Sequence, residues 1–129
     1  MLFSDGAFSF GKRPGFGWVA VSSDGRELAR GSGICDDDGT HSVAGEECGA
    51  LAALSWAAAQ GFRYASLRTD LESLPVHFRR PAKNPRRHVA RLYEFACRMV
   101  EFTFTVRPIK SVHPHLEAAH HLARAAVRG

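Results

Sequence analysis

Apolar and polar positions alternate in two registers along the chain, and the register changes mark the elements. FGWVAVSS, Phe16 to Ser23, alternates large and small apolar residues and runs into Asp24-Gly25 and then ELARGSGI, Glu27 to Ile34. This pattern predicts a β-hairpin closed by a two-residue turn. Upstream, MLFSDGAFSF is rich in Phe and Leu and ends at the Gly11-Lys12-Arg13-Pro14-Gly15 cluster, so it reads as a first strand pairing with the hairpin. CDDDGTHS, Cys35 to Ser42, is a loop by its Asp and Gly content, with Ser42 placed to cap a helix over Val43 to Gln60. In that helix Leu51, Leu54, Ser55 and Ala58 recur at helical spacing, and Gly61 follows as a stop.

Period-two alternation returns in RYASLRTD, Arg63 to Asp70, with Ala65, Leu67 and Thr69 on one face. It returns again in VEFTFTVRPI, Val100 to Ile109, with Val100, Phe102, Phe104 and Val106 on one face. Pro85 opens a helix to about Met99 whose apolar side is Val89, Leu92, Phe95, Ala96 and Met99, and Pro114 opens a last helix to about Val127. The order β β β α β α β α, a meander followed by right-handed crossovers, predicts an α/β fold with a five-stranded mixed sheet, three strands antiparallel and then two parallel, flanked by helices.

The length of 129 residues and the 45% hydrophobic content fit one domain, 1–129. No basic flank, leader pattern or apolar run of about 20 residues is present, so a cytoplasmic protein with no membrane contact is expected. Cys35, Cys48 and Cys97 match no disulfide framework or thiolate metal site and are expected to be reduced, mostly buried small hydrophobes. The net charge of +4 changes the picture through its distribution. Arg79, Arg80, Lys83, Arg86 and Arg87 crowd into RRPAKNPRR, with Arg91 beyond it. That run is either a solvated loop and helix start or a patch that tracks phosphates.

Two aspartates stand where apolar residues are expected: Asp5 lies inside the first strand and Asp70 ends the fourth. A buried unpaired carboxylate costs several kcal/mol unless it is paired or holds a cation, and ligands in such sheets gather beyond strand ends near a change of strand order. Each aspartate alone is also compatible with a strand-end turn. The last helix carries a histidine pair, His120 and His121, in HPHLEAAHHLARAA. One reading makes them a core and a surface histidine; another makes a zinc site of His113, His115, Glu117, His120 and His121, which leaves both aspartates unexplained.

Four segments resemble the ribonuclease H family in the right order over almost the whole chain. SDGAFSF with FGWVAVSSDGREL is similar to its opening strands, EECGALAAL to its "AExxAL" helix, RTDLESL to its "TDSxxL" strand end, and HLEAAHHLARAA to its "NxxADxLAxxA" helix. The resemblance implies a ribonuclease H-like fold and an acidic cluster holding two Mg²⁺ or Mn²⁺ ions. Carried over residue by residue, the catalytic and metal-holding positions are Asp5, Glu47, Asp70 and His120. Glu47 is preferred to Glu46 because it lies four residues before Leu51, whereas Glu46 is turned about 100° away, toward solvent.

Histidine at position 120 replaces the family's usual aspartate; imidazole ligates divalent ions and shifts the preference toward Mn²⁺. Leu116 replaces the motif's asparagine, and His113, a candidate helix cap, is a possible auxiliary in proton transfer or product release. Gly6, Ala7 and Ser9 are the small residues expected to approach nucleic acid, beside Arg79, Arg80, Lys83, Arg86 and Arg87. The activity implied is two-metal hydrolysis of the RNA strand of an RNA–DNA hybrid, by a protein acting as a monomer with no protein partner. The alternatives are a nucleic-acid-binding domain with an eroded site and a nuclease of the superfamily acting on DNA.

Overall fold

The computed structural model describes residues 1–9, 11–35, 43–81, 87–110 and 113–128, the side chains of 87–89 excepted. Its elements are β1 (Leu2–Ala7), β2 (Gly15–Val21), β3 (Glu27–Ile34), α1 (Ala44–Ala59), β4 (Tyr64–Thr69), α2 (Leu74–Arg79), α3 (Arg87–Arg98), β5 (Thr103–Pro108) and α4 (Pro114–Arg128). The sheet order is β3-β2-β1-β4-β5, with β1–β2 and β2–β3 antiparallel and β1–β4 and β4–β5 parallel. This is the five-stranded mixed sheet that the sequence pattern predicts.

Successive residues of β1 pack on opposite faces. Leu2 joins Trp18, Ala50, Leu54, Leu67 and Leu92 in the larger core, beneath α1 and α3. Phe3 joins Val19, Val21, Leu116 and Ala119 in a smaller core beneath α4. In β4, Ala65, Leu67 and Thr69 are buried on one face as their alternation requires.

Four expectations are corrected. The β2–β3 hairpin is not a two-residue turn: Ser22 N–H donates to the Arg26 carbonyl, leaving Ser23, Asp24 and Gly25 in the loop, and Gly25 takes φ +88°. A turn followed by one left-handed glycine is the usual three-residue alternative. A short helix, α2, precedes the basic run; Pro75 in its first turn lacks only a donor that the helix leaves unused there. Val100, read as part of the last strand, is 93% exposed ahead of β5. Finally, Cys35 and Cys48 form a disulfide with their Cα atoms 6.1 Å apart, since β3 ends directly beside α1, while Cys97 is exposed rather than buried. Ser42, read as a helix cap, lies outside the described residues. No helix among them is long and apolar enough to cross a membrane.

Candidate metal centre

Parallel β1 and β4 pair with Leu2 opposite Leu67 and Phe3 opposite Arg68. The same offset carried two residues further brings Asp5, in the carboxyl half of β1, opposite Asp70, just past the end of β4. This is the point where the sheet changes from antiparallel to parallel, and crevices at such points collect ligands. Asp5 is 4% exposed. Its Oδ1 accepts a hydrogen bond from Gly6 N–H at 2.8 Å, and its Oδ2 lies 2.9 Å from His120 Nδ1.

The third carboxylate comes from α1. Oxygens of Asp5, Glu46 and Asp70 all lie within 4.8 Å of one another. Glu46 is therefore the glutamate at the cluster, and Glu47, preferred on helix phase, is fully buried elsewhere on α1. Leu51, from which the phase is read, is only half-buried; the side of α1 that meets the sheet is made of small residues, Gly49, Ala50, Ala53 and Ala57. Glu46 lies four residues before Ala50 and seven before Ala53, so it continues that face. Two glycines let α1 come this close: a Cβ on Gly45 would lie 2.5 Å from the Gly15 carbonyl oxygen, and one on Gly49 would lie 3.1 Å from that of Asp5. The spacing of small residues at 45, 49, 50, 53 and 57 was the available signal for Glu46.

Glu46 Oε2 is buried and has no hydrogen-bond partner among the described residues. Burial, reinforced by the charges of Asp5, Asp70 and Glu47, pushes the Glu46 carboxyl up to about 7. Burial, then the charge of Asp70, pushes Asp5 up to about 6 against the opposing pull of Gly6 N–H and His120. Three carboxylates this close repel unless protons or a cation offset their charge. A hard divalent cation, which takes oxygen ligands, fits the donor set and supplies the partner that Glu46 Oε2 lacks.

Asp5, Asp70, Ile109, Lys110, His113, Leu116, Glu117 and His120 line an open cavity of about 300 Å³. Leu116 presents an apolar wall where the family motif has asparagine. His113 Nδ1 accepts from His115 N–H at 3.2 Å, capping α4, and its ring stacks on Phe3 with centroids 4.5 Å apart. Among the described residues, the histidines of 113–121 form no ligand group; Asp5, Glu46 and Asp70 are the ones that do. The zinc reading therefore loses its site. Of the residues expected at nucleic acid, Gly6 is buried under the start of α1, Ala7 is half-buried and Ser9 is exposed. Arg79 and Arg80 are exposed at the end of α2, while Lys83, Arg86 and the side chain of Arg87 lie outside the described residues.

No family model and no curated protein matches the chain. Solved structures do. RNase H1 from the halophilic archaeon Halobacterium salinarum is 27% identical with a TM-score of 0.73, the match covering 98% of this chain and 96% of that one. The N-terminal RNase H domain of a Mycobacterium tuberculosis protein is 19% identical at a TM-score of 0.76, covering 98% of each chain. LC11-RNase H1, solved in complex with an RNA/DNA hybrid, is 18% identical at 0.73, covering 98% of this chain and 95% of that one. The chain has a ribonuclease H-like fold and is similar to type I RNase H domains.

Proposed function

We propose that the protein is a nuclease that hydrolyses the RNA strand of RNA–DNA hybrids with two divalent cations, Mg²⁺ or Mn²⁺, held by Asp5, Glu46 and Asp70 with His120 as the fourth side chain of the site. The observation that carries this is the cluster itself: three carboxylates within 4.8 Å, one of them with a buried oxygen that lacks a partner, at the strand ends where ligands collect. The hybrid-bound LC11-RNase H1, which shares the fold, supports the choice of substrate.

Bound divalent cations supply a water of lowered pKa and offset the charge at the departing 3′ oxygen. The chain's own groups prepare the site for them. Gly6 N–H and His120 fix both oxygens of Asp5, so the carboxylate does not have to reorganise when charge arrives. Glu46 closes the buried side of the cluster and Asp70 its exposed side, where solvent and substrate enter. His120, with its side chain 43% exposed, lines the cavity. The 2′-hydroxyls of the RNA strand, in the wide minor groove of the duplex, are what distinguishes that strand from DNA.

The test is cleavage of a labelled hybrid beside double-stranded DNA and RNA of the same sequence, with Mn²⁺, Mg²⁺ or chelator. Hybrid-selective cutting that stops with chelator is expected. Cutting of DNA alone would make it a nuclease of another specificity, and hybrid binding without cutting would make it a binding domain.

A further inference from the structure

The geometry points to a second site, next to the carboxylates and of opposite charge: a hollow that takes a backbone phosphate of the nucleic-acid strand one or two nucleotides away from the bond being cut. It rests on the nuclease reading above. The hollow has a volume of about 210 Å³ and is lined by Ala7, Phe8, Ser9, Lys12, Arg124, Val127 and Arg128.

Its position follows from two elements running side by side. From Asp5 to Ala7 is two residues along β1, about 6 to 7 Å. From His120 to Arg124 is one turn of α4, about 6 Å, and Arg128 lies on the same helix face one turn further on. Strand and helix thus leave the Asp5–His120 contact and arrive together at the hollow, one step away. α4 stays close to the sheet along the way: a Cβ on Gly15, the β2 residue paired with Ala7, would lie 2.7 Å from the Ala123 carbonyl oxygen and from Val127. The turn that follows β1, in which Lys12 N–H donates to the Ser9 carbonyl at 3.0 Å, adds a third cation from a separate element.

Among the described residues nothing neutralises the charge of this hollow. Lys12, Arg124 and Arg128 are exposed and form no ion pair among the described residues. Basic side chains near the end of α4 also complement the helix dipole, but that effect requires neither a concave wall nor Lys12. Phe8, 41% exposed, lines the same hollow. Cations beside an exposed aromatic ring suit a nucleotide, whose sugar or base covers the ring while its phosphate meets the arginines, better than a free inorganic anion. The carboxylate cluster, repulsive to a phosphate until cations fill it, and this attractive hollow beside it together favour a strand lying across both.

The test compares wild type with Arg124→Gln/Arg128→Gln, neither of which touches the carboxylate cluster. Binding of a labelled hybrid is measured over a salt series, and steady-state cleavage is measured on the same substrate. The double variant is expected to lower the slope of log affinity against log salt by about one, because the hollow neutralises one phosphate. KM should rise about tenfold with kcat changed less than about twofold, a split that a general loss of structure does not produce. A scan of single methylphosphonate substitutions along the cut strand should find one neutralised phosphate, one or two positions from the cut, that weakens wild-type binding and leaves the double variant unaffected. An unchanged salt slope, equal methylphosphonate effects in both proteins, or saturation of the hollow by inorganic phosphate without competition against hybrid would overturn the proposal. Because binding and the methylphosphonate comparison need no cleavage, they read the hollow even if the carboxylate site proves inactive.

Discussion

Two helices reach Asp5 from opposite faces of one sheet, and they achieve the approach by opposite means. α1 carries its own glycines, Gly45 and Gly49, and lays its backbone on the strands; a disulfide to Cys35 ties its first turns to β3. α4 carries no glycine and is received by glycines in the strand: a Cβ on Gly17 would run into the Ala119 carbonyl oxygen, and one on Gly15 would meet Ala123. The side chains delivered differ accordingly. Glu46 arrives with one buried oxygen that has no partner among the described residues, whereas His120 arrives partly exposed and already bonded to Asp5. The deep side of the site is built to need a cation, and the shallow side to steady a carboxylate.

Exchanging the carboxylate on the deep side should break this contrast most severely. Glu46→Gln is expected to lower hybrid cleavage by more than about a hundredfold, beyond the range typical of groups one step removed from a metal, while His120→Ala falls by about 10- to 100-fold. Steady-state cleavage in Mn²⁺ checks both, and equal losses would erase the distinction between the two sides. Next is the tether. Cys35 and Cys48 are separated by 13 residues, and opening their link with a dithiol should cost about 3 kcal/mol in denaturant unfolding, with a loss of Mn²⁺ affinity because Glu46 lies within the same first turns of α1. An unchanged midpoint would place the constraint elsewhere.

The glycines separate the two faces more finely. Gly17→Ala should cost about 2 to 3 kcal/mol, because the new methyl group meets helix backbone that has to move. Gly49→Ala should stay within about 1 kcal/mol of wild type, since its tighter contact, 3.1 Å to the Asp5 carbonyl oxygen, is offset by the better helix propensity of alanine. Thermal unfolding of both variants decides it.

Protons offer the mildest probe. Asp5 is raised to about 6 and Glu46 to about 7, both above their values in an unfolded chain, so the folded protein binds more protons than the unfolded one between about pH 4 and 7. Unfolding free energy of the cation-free protein should therefore fall as pH rises through that window, by about 2 kcal/mol once the coupling between the two groups is allowed for. Added Mn²⁺ should reverse the trend, stabilising most at the top of the window. A melting temperature independent of pH in chelator would mean that neither burial nor mutual repulsion raises the two carboxyls.

The same contrast explains what could be read from the residues alone. α4 is amphipathic, with Leu116, Ala119 and Ala123 buried, so its phase is visible and His120 falls on the correct face. The strands alternate clearly, and Asp5 and Asp70 stand out against apolar surroundings. α1 is small and apolar over most of its circumference, so leucine spacing points to Glu47, about 100° round the helix from the Glu46 that the structure brings to Asp5 and Asp70. The signal that locates Glu46 is the spacing of glycines and alanines, which matters only once the helix is known to lie against a sheet. The Cys35–Cys48 link was hidden for the same reason: it depends on where β3 ends relative to α1, a tertiary fact that spacing does not carry. The basic hollow was hidden because Lys12 and Arg124 lie over a hundred residues apart and meet only when α4 runs alongside β1.

Titration of wild type, Glu46→Gln and Glu47→Gln with Mn²⁺, followed by calorimetry or electron paramagnetic resonance, tests the central claim without requiring turnover. Binding that is lost in Glu46→Gln and kept in Glu47→Gln is the predicted result. Binding that survives Glu46→Gln and disappears in a folded Glu47→Gln would contradict the cluster of Asp5, Glu46 and Asp70 as the cation site.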